Sequence, residues 1–145
     1  MIYVNDLIQT LKKNKISFFT GVPDSILKEF TKSFDKPNNL KHVTAVNEGS
    51  AVSIGIGYHL STQKIPCIYM QNSGLGNAIN PLISIAHKNV YSIPLLLMIG
   101  WRGSPNQKDE PQHKTKGKIT PQLLNLLNIE HCKLKSKNDL LKLNK

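Results

Sequence analysis

Apolar positions recur along this chain in short, alternating rhythms. Val4, Leu7, Ile8 and Leu11 follow the i, i+3, i+4, i+7 spacing of an amphipathic helix. Ile16–Thr20 (ISFFT) predicts a short strand, ended by GVPD. Ile26, Leu27, Phe30 and Phe34 predict a second helix face, and Leu40–Val46 (LKHVTAV) a second strand, after which Glu48 opens the next helix. Ile65–Met70 (IPCIYM) reads as a third strand and Gln71–Asn77 (QNSGLGN) as a turn into another helix. Ile93–Gly100 (IPLLLMIG) shows no polar alternation and is expected to be a strand buried on both faces. Trp101–Lys118 (WRGSPNQKDEPQHKTKGK) has little periodicity and reads as a long loop, a kind of segment that is usually functional or disordered in a compact domain. ITPQLLNLLN predicts a short helix, HCKLK a candidate strand, and NDLLKLNK a last helix or frayed end.

Alternating helices and strands argue for an α/β fold, a three-layer α/β/α sandwich on a mostly parallel sheet. There is no internal repeat, and residues 1–145 suit a single domain. Ligands in such sheets collect at the carboxyl ends of the strands. The segments after the four strands are GVPDS, NEGS, QNSGLGN and WRGSPNQKDEPQH, and they hold nearly all the unusual polar and glycine chemistry of the chain.

Composition narrows the class. With 39% hydrophobic residues the chain can build one ordinary core. No apolar run approaches the roughly 20 residues of a membrane span, and the amino-terminal stretch lacks the basic region and cleavage site of a signal peptide. No membrane association is expected, and the cytoplasm is the expected compartment. The net charge of +10 raises nucleic acid as a partner. The lysines are scattered, however, and no aromatic residue follows Trp101, so the basic tail has no base-stacking platform. An anionic small substrate or an acidic partner explains the charge as well. Cys67 and Cys132 match no metal spacing and are expected as buried thiols. Asp35, Asp109, Glu110 and Asp139 form no recognisable oxygen-ligand cluster, so no metal site is expected.

Each polar segment carries two readings. Asp24 is either a helix cap or a group placed for proton transfer. Glu48 is either a first-turn acid favoured by the helix dipole or a carboxylate facing something outside the chain. The glycines after it allow close packing against a helix or a subunit. NSGLGNA lacks the lysine of a phosphate loop but suits a tight turn whose backbone touches a flat ligand. Arg102, directly after a strand, and Lys108 are suited to carboxylate or phosphonate oxygens, and His113 to proton transfer or anion binding. The plain alternative for the lysines is a solvated basic loop.

GVPDSILKEF, NEGSAVSIGIGYHL, MQNSGLGNAINPL and LLLMIGWRGSPNQKDEPQHKTKGKIT together resemble the pyrimidine-binding domain of thiamine-diphosphate-dependent 2-oxoacid decarboxylases. The resemblance runs from residue 1 to about residue 128, and the last segment points to the phosphonopyruvate branch over the related sulfopyruvate branch. It implies decarboxylation of 3-phosphonopyruvate to phosphonoacetaldehyde, in phosphonate biosynthesis. The alternatives are a sulfopyruvate decarboxylase α subunit or a non-catalytic remnant that only binds a partner. It implies that Glu48 bonds N1′ of the thiamine diphosphate aminopyrimidine, with Asn72, Ser73, Gly74, Leu75 and Asn77 around that cofactor. It further implies Asp24 and His113 as catalytic groups, and Arg102, Lys108 and His113 around the anionic 2-oxoacid. The diphosphate and Mg2+ segment of that family has no counterpart here. The resemblance therefore implies a partner subunit or domain that holds them, a homo- or hetero-oligomer, and no activity by this chain alone.

Overall fold

The computed structural model describes residues 2–35 and 40–144; Met1 and Lys145, the outer ends of the stretches read as first and last helices, lie outside them. Helix α1 (Val4–Lys13) turns Leu7, Ile8 and Leu11 inward, as their spacing dictates. Strand β1 (Phe18–Gly21) is buried throughout. Helix α2 (Lys28–Lys32) is short and continues as a 3-10 turn over Ser33–Asp35. Phe30 is buried in it and Phe34 packs on that ring, while Ile26 lies ahead of the helix and is 49% exposed. Next come strand β2 (Lys41–Thr44), helix α3 (Glu48–Thr62), strand β3 (Cys67–Gln71), a 3-10 turn (Asn72–Gly74) and helix α4 (Leu75–Pro81). A π-helical turn (Leu82–Ala86), strand β4 (Leu96–Gly100), helix α5 (Pro111–Leu126) and a last 3-10 turn (Lys137–Asn144) complete the described chain.

All four strands are parallel, in the order β2-β1-β3-β4. One face carries α3, α4 and α5 over Val52, Ile56, Ile68, Met70, Leu75 and Leu124. The other carries α1, α2 and the last turn over Leu11, Phe19, Phe30, Cys67, Tyr69 and Leu140. The three-layer α/β/α sandwich expected from the alternation is the one observed. From β1 the chain leaves through α2 on one face; from the adjacent β3 it leaves through α4 on the other. The two connections diverge at the carboxyl ends of β1 and β3, the place where open α/β sheets bind ligands.

Several expectations are corrected. The segment after Trp101 is a loop only as far as Glu110, because α5 begins at Pro111, whose missing N–H costs nothing at a first helical position. The buried residues of α5 are Gly117, Thr120 and Leu124, and only the last is a large apolar side chain, so the first turns leave no hydrophobic rhythm. Strand β4 is an edge strand; Met98 and Gly100 are buried and its other residues are half-exposed. Hydrophobicity alone does not reveal that a neighbouring strand is absent. HCKLK forms no strand among the described residues. It crosses beside β4, with Lys133 Nζ 4.4 Å from the Trp101 ring centre and Leu134 packed on the α1–α2 side. Cys132 is exposed there, not buried, whereas Cys67 is fully enclosed in β3 and burial pushes its thiol up. No helix among the described residues is long and apolar enough to cross a membrane, and none of their acidic, histidine or cysteine side chains group as a metal site.

Candidate active site

The parallel sheet brings the four polar segments to one edge. After β1, Asp24 is 8% exposed. Its Oδ2 accepts the Leu27 amide at 3.3 Å, so it caps the turn into α2. Its Oδ1 is buried with no hydrogen-bond partner among the described residues, an arrangement that costs stability unless something else meets that oxygen. Gly100, at the end of β4, lies directly against Asp24 Oδ2, and a side chain at that position would strike the carboxylate.

Glu48 is the first residue of α3. The capping role belongs to Asn47, whose Oδ1 accepts the Ser50 amide at 2.8 Å. Glu48 is therefore free of that duty. It is half-buried, and Oε2 accepts from Asn77 Nδ2 at 2.9 Å. The rest of its carboxylate rests on the bare Cα of Gly74, where a Cβ would overlap Oε1, Cδ and Cγ. A Cβ on Gly49 would stand 2.8 Å from Asn77 O, so a second glycine lets the starts of α3 and α4 approach.

The other residues expected around Glu48 divide into two groups. Gly74 and Asn77 touch it; Ser73 Oγ accepts from Gln71 Nε2 at 2.6 Å at the same edge. The side chains of Leu75 and Asn72 point inward instead. Leu75 is 1% exposed in the α3–α4 core. Asn72 spends both amide hydrogens, one on Arg102 O at 3.0 Å and one on Thr120 Oγ1 at 2.9 Å, while its Oδ1 accepts from Arg102 N. In this structure the two side chains serve packing and bracing.

Arg102 also differs from a free anion-binding fork. Its Nε and Nη2 meet Asp109 Oδ2 and Oδ1 at 2.9 and 2.6 Å, and Nη1 reaches Ser25 Oγ at 3.2 Å. The guanidinium, helped by the Gly103 and Glu110 amides, holds the Asp109 carboxyl well below the usual carboxylate range. The carboxylate in turn raises Arg102. Lys108 is exposed, and His113 is half-buried in the first turn of α5; no hydrogen bond or ion pair engages either side chain among the described residues. Asp109, Ser25 and Thr120 are the residues that sequence reasoning missed. The segment containing Asp109 was singled out, but nothing in its order says that Gly103, at φ +68°, folds residue 109 back on residue 102.

The segment that follows Glu48 in sequence is nearly free of charge. From Gly49 to Ala86, Lys64 is the only Asp, Glu, Lys or Arg. Val46 is 91% exposed and Leu60 61%, and the Cα atoms of Gly57 and Gly76 face open space. A helix that is apolar all round belongs in a buried setting.

The model of the thiamine pyrophosphate enzyme N-terminal TPP-binding domain matches residues 1–124. This chain belongs to that family. The thiamine pyrophosphate enzymes that it resembles include a phosphonopyruvate decarboxylase of Streptomyces viridochromogenes, 37% identical over 90% of this chain and 32% of that protein. Another, from Streptomyces hygroscopicus, is 34% identical over 98% of this chain and 35% of that protein. The α subunit of sulfopyruvate decarboxylase from Methanocaldococcus jannaschii is 32% identical over 94% of this chain and 79% of that subunit. The chain thus spans about a third of the length of the phosphonopyruvate decarboxylases and most of the α subunit. Among solved structures, benzoylformate decarboxylase from Polynucleobacter necessarius superposes with a TM-score of 0.61 at 30% identity, over 70% of this chain and 19% of that one.

Proposed function

We propose that this chain is the pyrimidine-binding component of a thiamine-diphosphate-dependent decarboxylase that converts 3-phosphonopyruvate to phosphonoacetaldehyde and CO2. The observation that carries the reading is Glu48: a carboxylate held by Asn77, laid on a glycine and relieved of capping by Asn47. That donor set fits the aminopyrimidine end of the cofactor, and the cradle at Gly74 leaves its open side to a flat ring. Bound thiamine diphosphate supplies the electron sink for decarboxylation. Glu48 takes and holds a proton at the ring nitrogen it faces, and low dielectric strengthens that bond. Asn77 keeps its carboxylate oriented. Asp24, with its unpaired Oδ1, and His113 manage protons at the reacting end. Lys108 and Arg102 Nη1 draw the anionic substrate toward the strand ends.

The diphosphate and Mg2+ are assigned to a partner subunit or domain, since the described residues offer no acidic or histidine cluster for the metal. The exposed apolar and glycine positions Val46, Gly57, Leu60 and Gly76 are the proposed contact with that partner, and on this reading the cofactor lies between the two components. The cytoplasm is the proposed compartment. A second reading, the α subunit of a sulfopyruvate decarboxylase, rests on the 32% identity to one such subunit over 94% of this chain. Higher identity to the phosphonopyruvate decarboxylases favours the first. The test is reconstitution with a diphosphate-binding partner, followed by aldehyde release from phosphonopyruvate, sulfopyruvate and pyruvate. A higher kcat/KM for phosphonopyruvate is expected. Preference for sulfopyruvate would reverse the assignment, and turnover without any partner would contradict the division of the site.

A further inference from the structure

Arg102 is a junction of the strand-end loops. It lies two residues beyond β4. Its backbone N–H and C=O both bond the Asn72 side chain at the end of β3. Its Nη1 donates to Ser25, beside Asp24 in the loop after β1. Asp109 fixes this junction. It accepts four hydrogen bonds: Nε and Nη2 of Arg102, and the amides of Gly103 and Glu110. The side chains of Arg102 and Asp109 are 26% and 11% exposed, so the pair is partly shielded from competing water. The two-pronged geometry fixes the plane of the guanidinium as well as its charge.

The same turn is tied to α5. Gly103 adopts φ +68° with its Cα against His113 O, and the Cα of Gly117 lies against Gly103 O; neither position has room for a side chain. The Trp101 indole N–H donates to Gly117 O at 2.8 Å. A continuous chain of contacts therefore runs from Asp24 and Ser25 through Arg102 and Asp109 to the first turns of α5, which carry His113.

We propose that Asp109 is a positioning residue of this active site: by gripping Arg102 it sets the separation between the Asp24 loop and the α5 start that carries His113. The proposal rests on the decarboxylase reading above. Arg102 then serves mainly as a brace, with only Nη1 turned to the site. Neither member of the pair reads the substrate anion through the full fork.

The test uses the enzyme reconstituted with its partner, with phosphonopyruvate as substrate, and Trp101 as the chain's single tryptophan. Asp109→Asn should lower kcat about tenfold or more, since small displacements of reacting groups are costly, while KM stays within about twofold. Arg102→Lys should behave alike, because an ammonium keeps the charge but not the fork. The double variant should be little worse than either single one, as expected of residues that act as a unit. Acrylamide quenching of Trp101 should rise in Asp109→Asn, with the far-ultraviolet circular dichroism unchanged. A raised KM at unchanged kcat would overturn the proposal and make Arg102 a direct anion ligand. Additive losses, or no loss, would overturn it too. Unchanged quenching would show that the clamp does not hold the loop, whatever the activity. If the wild-type enzyme decarboxylates no 2-oxoacid, the functional reading falls and takes the catalytic role of Asp109 with it. An active wild type with an indifferent Asp109→Asn sinks this proposal alone.

Discussion

Replacing Gly74 with alanine should disable the site while leaving the fold almost untouched. The new methyl would overlap Glu48 Oε1, Cδ and Cγ. Normal contact between such atoms is about 3.5 Å or more, so the carboxylate has to move by about 1 Å or more. Its bond from Asn77 Nδ2 is 2.9 Å now and would stretch past hydrogen-bonding range. A hydrogen bond to a charged group contributes about 1.5–3 kcal/mol, which corresponds to about 10- to 150-fold in an equilibrium constant. Glu48 is half-buried at a helix start and can swing outward, so the strain is relieved at the expense of the site. The melting temperature should therefore fall by no more than about 5 °C. The assays are thermal unfolding of the chain, and calorimetric titration of the reconstituted protein with thiamine diphosphate and Mg2+. Binding should weaken by about 10- to 150-fold, with a matching or larger loss of turnover. Wild-type binding in Gly74→Ala would refute the reasoning. So would a fall of more than about 10 °C, which would mean that the backbone yields and the side chain does not.

The other expectations concern the open face and the clamp. Gly57→Glu places a charge where nothing lies within 4 Å. It should leave the unfolding curve of the isolated chain within about 0.5–1 kcal/mol of wild type and reduce partner affinity by at least about tenfold, read by analytical ultracentrifugation. Unimpaired assembly would move the interface elsewhere. The folded Asp109 carboxyl lies below its ordinary value of 3.8, so its contribution to stability is complete above that pH and is lost as pH falls through the folded value. Trp101 emission should accordingly hold steady down to about pH 4 and change only in stronger acid, whereas Asp109→Asn should lack that component. An identical acid titration in both proteins would show that the clamp does not report through Trp101.

What could be read from the sequence follows from what periodicity measures. Leu7, Ile8 and Leu11 predicted α1 because an apolar stripe has only one way to be buried. The alternation of apolar runs with glycine-rich turns predicted a parallel sandwich, and a parallel sandwich obliges its strand-end loops to share one edge. Glu48 stood out because a lone carboxylate among small residues is an imbalance that a fold must resolve, whereas Gly74 and Asn77 were named beside the cofactor only through the family resemblance. The start of α5 was hidden, because helix packing through Gly117 and Thr120 needs small residues and leaves no hydrophobic pattern. Arg102 was legible as a cation and illegible as a brace. Its partner, Asp109, sits seven residues away on the far side of a left-handed glycine, and the direction of that turn is a property of backbone geometry. The inward direction of the Asn72 and Leu75 side chains was not legible, because it depends on the tight turn of Asn72–Gly74 between β3 and α4.

The most direct test of the proposed function is hydrogen–deuterium exchange at C2 of the cofactor in the reconstituted enzyme, compared between wild type and Glu48→Gln. The amide keeps the shape of Glu48 and its place beside Asn77 but cannot hold the ring-nitrogen proton. General acid–base participation of this kind contributes about 100- to 10,000-fold, so exchange should slow by at least about 100-fold, with the fold and the partner contact intact. Exchange at the wild-type rate in Glu48→Gln would contradict the assignment of Glu48 and, with it, the placement of the cofactor.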